Sequence, residues 1–173
     1  MDTFFQIIFA LLISGLMVFG AVFFVLRKML AADANRRNIE LLLAAKELTL
    51  PLRLQAHERL MLFLERISLE AMVLRLRKPN TTNAELHADL TAAVRSEFEH
   101  NLAQQMYISQ ELWNTICMAK NTTLTVINTN AQQTDPKNSS MQLAQMLIKY
   151  HVNNEQPTAD AMKLLKKEVA KLF

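Results

Sequence analysis

Glu97 and His100 stand three residues apart in Arg95-Ser96-Glu97-Phe98-Glu99-His100. This E-x-x-H spacing puts a carboxylate and an imidazole on one helix face, and di-iron helical bundles use it twice. Such a site also needs a second E-x-x-H and two further inward glutamates, and the chain carries no second copy. The apolar stripe through Phe98 places the pair beside a core instead of at its centre. The sharper reading is a membrane-anchored metal-dependent enzyme with its site around Glu97 and His100. The plainer one is a solvated or capping polar pair.

Other reactive residues are isolated. His57-Glu58 does not open an H-E-x-x-H zinc site, because position 61 is Met. His87 and His151 have no Cys or His neighbour in sequence. Both glycines, Gly15 and Gly20, fall inside an apolar run, so no glycine loop can cradle a phosphate. Cys117, the single cysteine, excludes an internal disulfide and reads as a small buried hydrophobe four residues after Trp113. No catalytic residue and no cofactor are expected.

A different constellation points to binding. Glu58-Arg59 and Glu65-Arg66 repeat at seven residues, with Arg53 six before Arg59, beside a broad apolar face. Acid–base pairs at heptad spacing can edge a helix–helix interface. The same pattern also suits an ordinary solvated face with weak charge pairs. Arg53, Glu58, Arg59, Glu65 and Arg66 are therefore the candidate partner-binding residues.

The elements that must position these residues begin with residues 4–26, which carry no charge. At about 1.5 Å per residue the run would cover roughly 34 Å, against a hydrocarbon core of about 30 Å. It lacks a positive n-region, and Ala32-Asp33-Ala34 lies beyond Arg27 and Lys28, so an uncleaved transmembrane helix is expected. Arg27, Lys28, Arg36 and Arg37 follow the run, with no Lys or Arg before it. The positive-inside rule then puts residues 1–3 outside, the remainder in the cytoplasm, and these four side chains at the membrane interface. The sequons at Asn80, Asn121 and Asn138 read as chance and helix capping.

Charge is uneven along the chain. Residues 27–78 hold 11 Lys/Arg against 6 Asp/Glu, whereas residues 79–156 hold 4 against 7. A basic membrane-proximal part suits a bilayer with anionic headgroups. The positive segments contain few aromatics outside the apolar run, which argues against nucleic acid. Few Gly and Pro, with abundant Leu, Ala, Gln, Glu and Lys, argue for helices.

The pattern predicts a membrane-proximal helix over 27–50, a break at Pro51, and a helical core over 51–130. Thr82-Asn83-Ala84-Glu85 fits a capping box. Leu86, Leu90, Val94, Phe98, Leu102 and Met106 follow at four-residue intervals. Ser109 is the expected N-cap of the next helix. Residues 131–140 read as an exposed, mobile loop, and C-terminal helices occupy 141–173.

The segments Thr49-Leu50-Pro51-Leu52-Arg53-Leu54-Gln55-Ala56-His57-Glu58-Arg59-Leu60 and Arg95–Leu102 resemble an uncharacterised family of small membrane-anchored helical proteins of Bacteroidetes-type bacteria. The resemblance covers roughly residues 1–130 and implies a bacterial inner-membrane protein, with no activity to carry over. The expected architecture is all-α: an N-terminal transmembrane helix followed by a compact cytoplasmic helical bundle. The expected role is an interaction, scaffold or assembly module whose partners are other membrane or cytoplasmic proteins, or a second copy of the chain.

Overall fold

The computed structural model describes the backbone of residues 2–172, and their side chains except at 2, 3, 5, 6, 8, 10, 13, 14, 21, 31–35 and 38. Every regular element among the described residues is helical. In chain order these are α1 (Asp2–Arg66), α2 (Leu69–Leu76), α3 (Asn83–Asn101), α4 (Gln110–Gln132), α5 (Met141–Asn153) and α6 (Ala159–Val169), with a 3-10 turn over Leu102–Tyr107. The chain divides into two units, residues 1–49 and 50–173.

The first unit corrects the expectation of a transmembrane helix. A span needs about 20 consecutive apolar residues. Among the described residues, no helix is long and apolar enough to cross a membrane. The apolar run is the opening part of a much longer helix that continues through charged residues, and several of its side chains, like those of the Ala32-Asp33-Ala34 motif, lie outside the described ones. The single-pass inner-membrane location and its N-out orientation fall with the span. Arg27, Lys28, Arg36 and Arg37 are exposed basic side chains. Lys28 Nζ lies 5.5 Å from the Phe24 ring centroid, and Arg36 Nε is 3.8 Å from Glu40 Oε1.

Pro51 does not end its helix either, but sits inside α1. It lacks the amide that would bond to the Glu47 carbonyl. Both residues are exposed, so water can take that acceptor. Two residues earlier, Thr49 Oγ1 donates to the Ala45 carbonyl at 3.0 Å, the back-bonding common for hydroxyls within helices.

The second unit is built around one apolar core. Leu60, Phe63, Leu64 and Ile67 of the α1 end pack with Leu69 and Met72 of α2, Leu86, Leu90 and Val94 of α3, and Leu112, Ile116 and Ile127 of α4. Leu143 and Leu147 of α5 and Ala161 and Leu165 of α6 complete it. Each large aliphatic side chain so buried contributes about 1.5–3 kcal/mol relative to exposure. An aromatic file lines one side. Phe63 and Phe98 have ring centroids 6.0 Å apart, Phe98 and Trp113 are stacked at 5.4 Å, and Lys120 Nζ lies 4.5 Å over Phe98.

The capping box starts α3 as its residues predict. Thr82 Oγ1 accepts from the Glu85 amide at 3.2 Å, and Glu85 Oε2 accepts from the Thr82 amide at 2.8 Å. Glu85 Oε2 also accepts from the Thr82 hydroxyl at 3.0 Å, and the two bonds on the carboxylate, the amide first and the hydroxyl second, hold the Glu85 carboxyl below its ordinary range. The apolar stripe stops being a core stripe at Asn101, where the helix tightens into the 3-10 turn. Leu102 is 40% exposed and Met106 79%.

The segment expected as a free loop is fastened to the start of α3. Asn83 and Ala84 donate their amides to the carbonyls of Asn138 and Pro136 at 2.8 and 3.1 Å, and Ser140 donates to that of Thr81 at 2.9 Å. The buried Asn83 side chain donates to the Asp135 carbonyl at 2.8 Å and accepts from the Leu143 amide at 3.2 Å. One asparagine thus satisfies the backbone of a loop and of a helix start. Just before it, Asn80 takes φ 60° after Pro79, a left-handed conformation that Asn tolerates.

Candidate functional site

Arg59 and Arg66 are two turns apart on α1, at the rim of the face that buries Leu60, Phe63 and Leu64. Glu97 and His100 lie on α3, flanking Phe98. Helix packing brings the two pairs together in an open cleft of about 470 Å³, lined by Arg59, Leu62, Phe63, Arg66, Ser96, Glu97, His100 and Asn101. Arg66 Nη2 is 2.8 Å from Glu97 Oε1. Arg59, by contrast, has no ion-pair partner among the described residues and is exposed.

The His100 ring is oriented by its own helix. Its Nδ1 lies 2.8 Å from the Ser96 carbonyl oxygen, which can only accept, so Nδ1 carries the hydrogen. Nε2 is left as an acceptor in the neutral ring, or as a donor when the ring is protonated. Asn101 is turned inward as well, donating from Nδ2 to the Glu97 carbonyl at 2.8 Å. Leu62, 55% exposed, supplies an apolar edge.

This arrangement suits anion binding better than metal binding. Among the described residues, no group of three or more His, Cys, Asp or Glu could hold a metal ion. The carboxylate that the E-x-x-H reading would use already carries a guanidinium, whose positive charge opposes a metal cation. Arg59 and Arg66 instead present guanidinium N–H donors within one cleft, and guanidinium groups match carboxylate geometry in a bidentate manner.

The other candidate partner-binding residues do not join them. Arg53 Nε donates to the Tyr107 carbonyl at 3.4 Å. Glu58 lines a separate cavity of about 420 Å³ with Leu54, His57, Met61, Leu165, Lys166 and Val169. Glu65 is exposed, with no ion pair among the described residues.

Sequence spacing gave no warning of the polar network beneath that second cavity. His57 is 1% exposed. Its Nδ1 donates to the Arg53 carbonyl at 2.6 Å, and its Nε2 lies 3.4 Å from Glu168 Oε1. Glu168 in turn accepts from the Ser109 amide at 3.0 Å and from its hydroxyl at 2.8 Å. Ser109 Oγ also accepts from the Leu112 amide at 3.1 Å, capping α4. The carboxylate stands between the hydroxyl and the imidazole, whereas a nucleophilic triad needs the imidazole in the middle. Glu168 fastens the start of α4 to α6, His57 Nε2 lies beside it without a hydrogen-bond partner, and the arrangement does not activate the serine. Cys117 is no better a nucleophile, since partial burial pushes its thiol up and outweighs the opposing pull of Lys120.

No curated protein and no solved structure matches the chain. A family described as "Family of unknown function (DUF7935)" matches residues 2–172, nearly the whole chain, and the chain belongs to that family.

Proposed function

We propose that the chain is an interaction module, serving as a scaffold or assembly element, which grips an acidic segment of another protein in the cleft between α1 and α3. The observation that carries this reading is Arg59. It is an uncompensated guanidinium at the cleft rim, two helical turns from Arg66 and opposite the oriented imidazole of His100. A partner carboxylate would meet guanidinium N–H donors from Arg59 and Arg66, and the Leu62 edge would bury apolar surface next to that polar contact. Charge-assisted hydrogen bonds of this kind are about twice as strong as neutral ones.

The test is affinity purification of the full-length chain, wild type and Arg59→Glu, from the cells that make it. A partner should be recovered with the wild type at low ionic strength, weaken as salt rises, and be lost with Arg59→Glu. Recovery that is equal for both chains, or no recovered partner, would overturn the proposal.

A further inference from the structure

A second surface lies on the other side of the core, where α2 packs along α5. Met72, Val73, Leu143, Ala144 and Leu147 are buried between these helices and the rest of the unit. Above them runs a trough of about 640 Å³, floored by Val73 and Ala144 and walled by Leu74, Met141 and Ile148. Leu74 is 74% exposed and Met141 45%, and Val152, one turn beyond Ile148 on α5, is 74% exposed. Single exposed apolar residues are ordinary on protein surfaces. These are different because Leu74 of α2 and Met141 and Ile148 of α5 line one trough.

The rim of the trough decides what could fill it. Arg77 stands on the α2 side and Lys149 on the α5 side, and no carboxylate lines it. Neither cation has an ion-pair partner among the described residues. The acid on α2, Glu70, does not line the trough; its Oε2 lies 3.2 Å from His151 Nε2. An apolar trough flanked on both sides by unpaired cations is complementary to a helix with an apolar stripe between acidic flanks. Helix-in-groove recognition takes that form, read through anchors at i, i+3/i+4 and i+7. Three or four turns, about 16–22 Å of helix, would match the length of α5.

We infer that the α2–α5 trough is a docking site for an acidic amphipathic helix of a partner protein, separate from the Arg59 cleft. The probe is a fluorescein-labelled synthetic helix of about four turns, with Leu at i, i+3/i+4 and i+7 spacing and Glu on both flanks. Its control carries Lys in place of every Glu. Fluorescence anisotropy with the full-length chain should show saturable binding of the Glu-flanked helix and at least about tenfold weaker binding of the control.

Leu74→Asp should abolish binding while leaving the far-ultraviolet circular dichroism unchanged, because the side chain is exposed. The double change Arg77→Glu with Lys149→Glu should reverse the preference between the two helices. Arg59→Glu should bind the Glu-flanked helix as the wild type does, which separates this inference from the cleft proposal. The inference is overturned if neither helix binds, if both bind alike, or if Leu74→Asp binds normally. It is equally overturned if sedimentation shows a dimer that Leu74→Asp dissociates, since the trough would then be filled by a second copy.

Discussion

Arg66 Nη2 lies 2.8 Å from Glu97 Oε1, joining α1 to α3 across the mouth of the cleft. The Arg66 side chain is 56% exposed and that of Glu97 18%, so solvent screens part of the attraction. A double-mutant cycle on Arg66→Met and Glu97→Gln should therefore return a coupling of only about 0.5–1 kcal/mol, smaller at high salt. A coupling of several kcal/mol would mean that the pair is a structural clasp and not an adjustable edge of a binding cleft.

Asn83 should matter far more to stability. It is 1% exposed and serves the backbone of both Asp135 and Leu143. Asn83→Ala removes both bonds and leaves the buried Leu143 amide unpaired, a cost of about 1–3 kcal/mol. Urea unfolding should show the loss as a lower midpoint with little change in slope. A change below about 0.5 kcal/mol would contradict the fastening of 131–140 to α3.

Glu85 gives the capping box a pH dependence of known sign. Its folded carboxyl sits below its ordinary value of 4.5, so the unfolded chain takes up its proton first on acidification. The contribution is complete above the unfolded value and is lost as pH falls through the folded one. Amide exchange at the first turn of α3 should accelerate as pH falls below the ordinary range, once corrected for intrinsic rates. Glu85→Gln, which has no titrating carboxyl, should remove that additional pH dependence, whereas Thr82→Ala keeps the amide donor and should reduce it only in part. An unchanged acid response in Glu85→Gln would place its origin elsewhere.

The Ser109–Glu168 bonds should tie the start of α4 to α6. Glu168→Gln replaces one of two acceptor oxygens with a donor beside the exposed Ser109, and losing one such bond should cost about 0.5–1.5 kcal/mol. Thermal unfolding followed by circular dichroism measures it, and an unchanged midpoint would show that water replaces the carboxylate freely.

Much of the helical arrangement is legible in the residues themselves. Thr82-x-x-Glu85 and Ser109 mark helix starts because capping is local chemistry, fixed by side chains three residues from the amides they serve. The stripes through Leu60–Ile67 and Leu86–Val94 announce buried faces because helical periodicity needs no tertiary knowledge. Three features escape such reading. Pro51 signals a break, yet one missing hydrogen bond at an exposed position does not end α1. The polar composition of 131–140 signals freedom, yet Asn83, some 52 residues earlier than Asp135, holds it. The uncharged run signals a membrane span, which no helix among the described residues provides.

The candidate site was half visible. Heptad spacing singles out Arg59 and Arg66, and E-x-x-H spacing singles out Glu97 and His100. Only the packing of α1 on α3 shows that the two sets share one cleft and that Arg66 takes the carboxylate a metal would need. The juxtaposition of His57 with Glu168 escaped notice because contacts assembled from α1, α4 and α6 leave no periodic trace.

Arg59 carries the central claim, and a photo-cross-linker placed at Leu62 of the full-length chain tests it most directly. In the cells that make the protein, irradiation should yield a discrete adduct whose partner peptide is rich in Asp and Glu. The adduct should disappear when Arg59→Glu is added and persist with Leu74→Asp. An adduct that survives Arg59→Glu, or a cross-linked peptide without acidic residues, would contradict the account.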